Sequence, residues 1–358
     1  MTFPPVHAPE PHNRLLTVAT VTIATLSVLG ALYIGRAFFV PIALALFLNT
    51  LLRPAVRRLE RYRIPAPFGA TLVMLGLVGM AVAGGVALER PAQDWIAHAP
   101  ESFKSAQTRV RSIWKPFQKV TSAASDLGRT ATSPNETSKT VTVTAAPPAV
   151  GAGLFGSTAS AIAGAAEVVL LLFLLLAGGG MFLERLMGII PARADKRTAA
   201  HIASEVETAV AHYLLTTAII NVGEGIVVGL SLWLLGMPDP ALWALLTIGL
   251  EFIPYVGAAA LIVALSVSAL ATFDTLGHAA LVPLSYLVIS VVQNNVVSPL
   301  LYGNRLKLNA VAVLIAVLFW GSLWGVVGAF LAVPILAAVK IVCDHVESLQ
   351  SVGKFLKA

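Results

Sequence analysis

The sequence predicts an all-α integral membrane protein with about eight transmembrane helices, some of them broken or re-entrant. Of its 358 residues, 57% are hydrophobic and only 12% are charged, about half the ~25% found in soluble domains. The apolar residues also form uncharged runs long enough to cross the ~30 Å hydrocarbon core of a bilayer, which takes ~20 helical residues. Composition and run length together indicate a chain whose solvent is mostly lipid.

The first quarter of the chain holds a Pro-rich tail, residues 1–14, predicted to be disordered, and three apolar runs, residues 15–35, 37–52 and 64–88. The first run is longer than the ~7–15-residue apolar region of a signal peptide, and no cleavage site follows it, so we interpret it as an uncleaved span. The loop before the third run carries five arginines: Arg53, Arg57, Arg58, Arg61 and Arg63. Arginine marks the cytoplasmic side, which predicts a cytoplasmic loop and N-terminus.

The rest of the chain divides into an insertion, a second set of runs and a tail. Residues 89–153 are mixed polar and then rich in Thr, Ser, Ala and Pro, which predicts a partly helical, partly disordered extracytoplasmic insertion. Residues 154–342 form the transmembrane core, with apolar runs at 156–183, 213–235, 241–272, 275–304 and 310–339. Residues 343–358 are predicted to be a cytoplasmic tail, so both termini are cytoplasmic after eight crossings.

Two features of the second set of runs complicate the count of eight crossings. Arg305 and Lys307 then fall on the outer side, so re-entrant hairpins at 241–270 and 283–309 are an alternative. A straight helix over residues 310–339 would be ~45 Å long, beyond the ~30 Å core. It must tilt, extend or break, and Gly325 and Gly328 in the stretch WGSLWGVVG are predicted hinge residues.

Residues 250–259, LEFIPYVGAA, place an acid and two helix-breaking residues inside an apolar run. A charge at the bilayer centre costs ~2.5–3.5 kcal/mol on insertion scales, so Glu251 should face a partner or a water-filled cavity. Pro254 lacks a backbone donor and Gly257 adopts conformations closed to other residues, so the helix should break. Transporters bind ions and substrates at such breaks, although a Pro kink also serves packing alone. We predict that Glu251, Pro254, Tyr255 and Gly257 bind an ion or substrate.

A second stretch of this form is QNNVVSPLLYG, residues 293–303. Its polar side chains are predicted to contact a polar solute: Gln293, Asn294, Asn295 and Ser298. Pro299 and Gly303 are predicted to break the segment, the alternative being an ordinary loop between two spans. Glu224, in NVGEGIVVG, suits either a cation site or an internally paired structural carboxylate, and we interpret Glu167 as structural.

Several function classes are not supported by any motif. The sequence has no P-loop, HExxH metal site or nucleophile elbow, so we predict no enzyme, no cofactor and no metal site. The stretch CDHVE, residues 343–347, is interpreted as a solvated tail and not as a metal cluster. The net charge of +6 comes from Arg and Lys at the ends of apolar runs, where they contact lipid headgroups, so no nucleic-acid partner is predicted.

Three segments carry a family resemblance: LNTLLRPAVRRLERYRIP, EFIPYVGA and SPLLYGNRLKLNAVAVLIAVLFWGSLWGVVGAFLAVPILAAVK. They resemble the autoinducer-2 exporter family of bacterial membrane proteins. The family pattern departs here at Asn309-Ala310, where a His-Pro pair is common, and at Ala258, where a Pro is common. The resemblance implies transporters of eight or so spans that export autoinducer-2 or exchange sodium or lithium for protons, and it implies homo-oligomers in the bacterial inner membrane.

The sequence and the resemblance together predict a secondary transporter. It would export a small polar solute or exchange a monovalent cation for protons, with Glu251 as the titrating or cation-binding group. Two alternatives remain open at this stage. One is a passive pore in a ring-like oligomer, which the Gly-rich packing faces favour, and the other is a non-transporting scaffold that binds a partner through residues 90–150.

Overall fold

The computed structural model describes residues 11–128, 158–178, 193–302, 308–346 and 349–356. Eleven α-helices account for nearly all of the described chain. They are α1 Pro11–Ile34, α2 Arg36–Arg61, α3 Ala66–Gly128, α4 Thr158–Gly178, α5 Arg193–Leu234, α6 Pro240–Leu250, α7 Val256–Thr272, α8 Leu276–Val292, α9 Ser298–Tyr302, α10 Ala310–His345 and α11 Gln350–Leu356. A π-helical turn, Gln293–Val297, joins α8 to α9.

The predicted fold class is confirmed. Six helices in the described ranges are long and apolar enough to cross a membrane: Leu16–Ile34, Arg36–Arg61, Ala66–His98, Thr198–Leu234, Leu276–Tyr302 and Ala310–His345. Three shorter apolar segments are the part of α4 from Ala163 to Gly178, helix α6 and helix α7. In lipid-facing stretches the threonines satisfy their own hydroxyls: Thr20, Thr22 and Thr25 each donate to the carbonyl oxygen four residues earlier, 2.8 Å away. This bonding leaves no free polar group facing hydrocarbon from these side chains.

One end of the helix bundle is marked by arginines and is called the basic face here. Arg53 and Arg57 at the end of α2 lie 3.3 Å and 3.6 Å from the Glu207 carboxylate near the start of α5. The end of α10 joins them, because His345 lies 3.3 Å from Glu205 on α5. The other end of the bundle, called the opposite face, contains the end of α5 and the start of α6 and α8.

Helices α6 and α7 form a re-entrant hairpin, the first hairpin. His278, at the start of α8, lies 2.9 Å from the Leu235 carbonyl oxygen, just after α5. A surface cavity of about 370 Å³ is lined by both Asp239, before α6, and Thr272, at the end of α7. The chain therefore enters and leaves at the opposite face, so the predicted single crossing by residues 241–272 is wrong and the alternative of a hairpin holds.

Helix α10 folds back on itself and forms the second hairpin, with arms 310–324 and 326–345. Gly325 has φ +66° and ψ −145°, a backbone conformation that only glycine adopts readily. A Cβ atom on Gly328 would overlap the Trp320 carbonyl oxygen, although residues eight apart in a straight helix are ~12 Å apart. Both arms end at the basic face, where the Asn309 amide donates to Leu356 of α11 at 3.0 Å.

The segment 283–309, predicted as the other possible hairpin, does not fold back in its described part, which ends at Tyr302. Helix α8, the π-helical turn and α9 follow one another without reversal. Pro299, predicted to break this segment, is the second residue of α9, and the π-helical turn before it relieves the missing backbone donor. Gly303, Arg305 and Lys307 lie outside the described residues.

Three predicted boundaries in residues 1–128 differ from the structure. Only Gly35, with φ −81° and ψ 14°, separates α1 from α2, and α2 continues to Arg61 through four of the five arginines of the predicted loop. Helix α1 begins at Pro11, inside the tail predicted to be disordered. Helix α3 is 63 residues long and continues past residue 88 to Gly128, because no Pro or Gly with a helix-ending conformation interrupts it. Residues 129–153 of the insertion lie outside the described residues.

The close approach of the chain within each hairpin predicts a stability effect. The Cβ atom of an alanine at position 257 would overlap the Leu250 carbonyl oxygen, and that of an alanine at position 328 would overlap the Trp320 carbonyl oxygen. A Cβ atom added to Gly249 would meet no atom within 4 Å. We expect Gly257→Ala and Gly328→Ala to destabilise the protein by about 1–3 kcal/mol, as overpacking does. Gly249→Ala is the matched control. Thermal unfolding in detergent should show lower midpoints for the first two variants only, and equal midpoints for all three would contradict the hairpins.

Candidate functional site

The tip of the first hairpin is non-helical backbone deep in the bundle. Helix α6 ends at Leu250, and residues 251–255 form a compact turn before α7 begins. Tyr255 takes φ +64° there, and the Gly257 amide donates to the Ile253 carbonyl oxygen at 2.9 Å. The missing Cβ of Gly257 lets α7 pack directly on the end of α6. Pro254 and Gly257 thus shape this tip, and the Tyr255 side chain is half exposed.

Two carboxylates lie within electrostatic range of each other beside this tip and are called the acid pair, Glu224 and Glu251. The Tyr286 hydroxyl of α8 donates to the Glu251 carboxylate. Glu224, on α5, is only 4% exposed and lies close enough to Glu251 for electrostatic repulsion. Ser290 lies beside Glu224, yet within the part of the chain that the structure describes neither Glu224 oxygen has a hydrogen bond of normal geometry.

Helix geometry sets the depth of the acid pair. Glu224 lies ten residues before the end of α5, Glu251 directly follows the eleven residues of α6, and Tyr286 lies ten residues into α8. At 1.5 Å per residue each is ~15 Å from the opposite face, or half the ~30 Å thickness of a hydrocarbon core. Three elements therefore bring their polar groups to one level near the membrane centre.

Asn221 connects α5 to the hairpin tip. It is 2% exposed, and its amide nitrogen lies 3.3 Å from the Ile248 carbonyl oxygen. With the amide turned over, its oxygen accepts from the Phe252 backbone amide at 3.2 Å and its nitrogen donates to Thr217 at 3.1 Å. The second orientation satisfies both polar ends of the side chain. Asn221 therefore adds a hydrogen bond to the Phe252 backbone amide, whose other acceptor, the Gly249 carbonyl oxygen, is 3.4 Å away.

A row of polar side chains, called the polar seam, leads from the acid pair toward the basic face. It consists of Tyr213, Thr217, Asn221 and Glu224 on α5 and of Tyr286, Ser290, Gln293, Ser298 and Tyr302 on the segment from α8 to α9. At its far end the Thr217 and Tyr302 hydroxyls are 2.7 Å apart, and the Tyr213 and Tyr302 rings stack with centroids 6.0 Å apart. The sixteen residues from Tyr286 to Tyr302 span ~24 Å.

The four predicted solute contacts occupy different positions relative to the seam. Gln293 donates to the Ser298 hydroxyl at 3.1 Å, and its buried side-chain amide oxygen Oε1 has no partner among the described residues. Asn294 is exposed but reaches the seam through the Ser290 hydroxyl, 3.3 Å away. Asn295 is also exposed and donates only to the Val291 carbonyl oxygen of its own helix. The structure thus brings Gln293, Asn294 and Ser298 to the seam and leaves Asn295 outside it.

The second hairpin meets the first near the membrane centre. The Phe252 and Phe330 rings lie 5.1 Å apart, and Ile253 packs with Val317 and Val333 from the two arms of the second hairpin. An apolar cavity of about 430 Å³ lies between α2, α6 and the second tip, which contains Gly325 and the nearby Gly328. Hairpins from opposite ends of the bundle therefore share one interface beside the acid pair.

Sequence reasoning missed Thr217, Asn221, Tyr286, Ser290 and Tyr302. A usable signal was present, because polar residues recur every fourth position from Tyr286 to Tyr302, which places them on one helical face. A polar stripe on an apolar helix indicates a face turned toward protein or water.

With this geometry in place, comparison with known proteins decides the family. The sequence matches the AI-2E family transporter profile over residues 22–348. The chain belongs to the AI-2E transporter family. It is 26% identical over 341 residues to the protein YhhT of Escherichia coli K12, covering 94% of this chain and 93% of YhhT. It is 25% identical over 330 residues to the AI-2 transport protein TqsA of the same strain, covering 92% of each chain.

A third relative of this AI-2E family member comes from another organism. A Mycobacterium tuberculosis protein is 28% identical to it over 331 residues, which cover 90% of this chain and 86% of the relative. The predicted family is thereby confirmed, and the chain is a multi-pass membrane transporter. Family membership indicates transport as its function.

The contact between Asn221 and the hairpin tip predicts a stability effect. Asn221→Ala would leave the Phe252 backbone amide only its long 3.4 Å hydrogen bond to the Gly249 carbonyl oxygen, and losing the shorter bond to Asn221 costs about 0.5–1.5 kcal/mol. Asn295→Ala, on an exposed side chain, should stay within about 0.5 kcal/mol of the parent. Thermal unfolding of both variants in one detergent measures the difference. Unchanged stability of Asn221→Ala would show that the tip does not depend on α5.

Proposed function

We propose that this protein is a secondary transporter of the bacterial inner membrane, which exports a small polar solute or exchanges a monovalent cation for protons. The basic face would be the cytoplasmic side, because arginine-rich short loops remain there. Helix α11 lies at that face, so the C-terminus would be cytoplasmic, and the arginine loop supports the same side for the N-terminus. Membrane lipids and further copies of the chain would be its partners.

The acid pair is the observation that carries this proposal. Two carboxylates buried close together near the membrane centre cannot both stay charged without a large electrostatic penalty. Tyr286 donates one hydrogen bond to Glu251, and Glu224 is left without any among the described residues. A bound proton or monovalent cation would remove the excess charge. Loading and release of that ion is the step that a coupled transporter requires.

The hairpins would supply alternating access to the acid pair. Broken helices near the bilayer midplane are the usual sites for substrate and coupling ions in transporters. Here the first hairpin enters from the opposite face and the second from the basic face, and the first tip contacts an arm of the second hairpin through Phe252 and Phe330. Movement of one tip against the other would open the acid pair to one side at a time, which a passive pore does not need.

The polar seam favours an uncharged, hydroxyl-rich solute. Its side chains between the acid pair and the basic face are hydroxyls and amides, which both donate and accept hydrogen bonds. The buried side-chain amide oxygen of Gln293 lacks a partner in the described structure, and this oxygen could accept a hydrogen bond from a solute hydroxyl. The relative TqsA is named for AI-2 transport, and an autoinducer-2-like solute would match the chemistry of the seam.

Flux through proteoliposomes under an imposed proton gradient tests the function. We expect gradient-driven uptake of sodium, lithium or an autoinducer-2-like solute by the parent protein. Glu251→Gln and Glu224→Gln should reduce it to the level of empty vesicles, because each removes the charge that binds the coupling ion. Glu167→Gln is the matched control, since Glu167 lies exposed on the apolar helix α4, and it should leave the flux unchanged.

Three outcomes would contradict the proposal. Equal flux in the parent and both acid-pair variants would remove the coupling role. A flux that rises linearly with solute concentration and ignores the proton gradient would indicate a passive pore. A protein that inserts correctly but moves none of these solutes would leave only a non-transporting role.

A further inference from the structure

We propose a divalent transition-metal site at the basic face, formed by His201 and Glu205 of α5 and by His345 at the end of α10. The site is separate from the proposed transport site, because Glu205 lies nineteen residues before Glu224, which is ~28 Å along α5. The proposal adds a ligand and a structural role for it. It does not depend on what the protein transports.

The three side chains already converge. His201 and Glu205 are four residues apart and share one face of α5, with the His201 Nδ1 atom 3.8 Å from the Glu205 carboxylate. The His345 Nε2 atom lies 3.3 Å from the same carboxylate oxygen. All three ligand atoms lie within 4.8 Å of one another. Two ligand atoms that each lie ~2.0–2.2 Å from a tetrahedral ion are ~3.3–3.6 Å apart. Modest side-chain rotation would therefore bring all three ligand atoms to binding distance from one ion.

Hydrogen bonding prepares His345 as a ligand. Its Nδ1 atom lies 2.9 Å from the Ile341 carbonyl oxygen one turn earlier in α10. An N–H at Nδ1 donating to that oxygen fixes the tautomer whose Nε2 lone pair faces Glu205. Metal-ligating histidines almost always donate their second ring nitrogen in this way. The arrangement therefore matches a metal ligand more closely than a histidine that is only solvated.

The neighbouring charges are already paired, so they do not compete for His201, Glu205 and His345. Lys340 lies 2.6 Å from the Asp344 carboxylate, and Glu207 is held by Arg53 and Arg57. The His201 side chain is 73% exposed and that of Glu205 is 45% exposed, which gives an ion direct access from water. Two imidazoles and one carboxylate suit zinc and its neighbours better than magnesium or calcium, which prefer oxygen ligands.

A bound ion would hold the second hairpin in place. His345 ends the arm 326–345, whose Phe330 contacts the first hairpin tip, whereas His201 and Glu205 belong to the long helix α5. A metal bound by both would cross-link α5 to the end of α10, where Glu205 and His345 meet although they are 140 residues apart in sequence. Ligands that bind only the folded state raise its stability, so the ion should stabilise the transporter.

Zinc titration of the full-length, tag-free protein in detergent tests the site, by calorimetry and by thermal unfolding. We expect one zinc ion per chain and a raised unfolding midpoint, with no displacement by excess magnesium. His201→Gln, Glu205→Gln and His345→Gln should each weaken zinc binding at least ~10-fold, as loss of a ligand or its partner does. His212→Gln, on the same helix, and Cys343→Ser, beside His345, are controls that should bind zinc normally.

The controls make failure visible. Zinc binding that survives all three ligand variants, or that is lost in Cys343→Ser, would place the ion elsewhere and overturn the proposal. A parent protein that binds no zinc in the micromolar range would overturn it as well. A variant is compared with the parent only if their unfolding midpoints without zinc are equal. If His345→Gln unfolds, the double variant His201→Gln/Glu205→Gln replaces it, because both of its positions are exposed.

Discussion

The structure depends on one constraint: backbone that leaves the helix inside a membrane must find partners within the protein. Within the described ranges two segments break that way, at residues 251–255 and at Gly325. The first tip is covered by Asn221 and by the arms of the second hairpin, which bury Ile253. Phe330, five residues after Gly325, packs against Phe252 of the first tip, so the two hairpins share one interface.

Burial of the tips fixes the electrostatics of the site. Once α6 ends at mid-membrane, Glu251 must lie there too, and α5 and α8 place Glu224 and Tyr286 at the same level. The polar seam then continues from that level toward the basic face, along helices that otherwise expose Val, Leu and Ile. A polar path inside an apolar bundle is unfavourable unless it carries something. The hairpins, the acid pair and the seam therefore form one continuous structural unit.

Much of this could be predicted from the sequence, and the remainder could not for physical reasons. Apolar run length identified the helices, and the pattern Pro254–Gly257 located the first break. Whether a broken segment crosses or returns depends on which partners its arms find, which periodicity alone does not encode. The fold of α10 could not be predicted for the same reason. A hinge was expected at Gly325, but the complete reversal also depends on the close packing of Gly328 on Trp320. Pro299 was expected to break its segment, but a π-helical turn accommodates it.

The most direct test of the account is the side of the membrane on which each end of the first hairpin lies. Cys343 is the only native cysteine, so Cys343→Ser provides a background for Asp239→Cys, Asp274→Cys and, at the basic face, Lys354→Cys. A membrane-impermeant maleimide is applied to spheroplasts and to inside-out vesicles. The account predicts labelling of both aspartate positions in spheroplasts only and of Lys354→Cys in inside-out vesicles only. Labelling of Asp274→Cys only in inside-out vesicles would make residues 240–272 a full crossing and contradict the account.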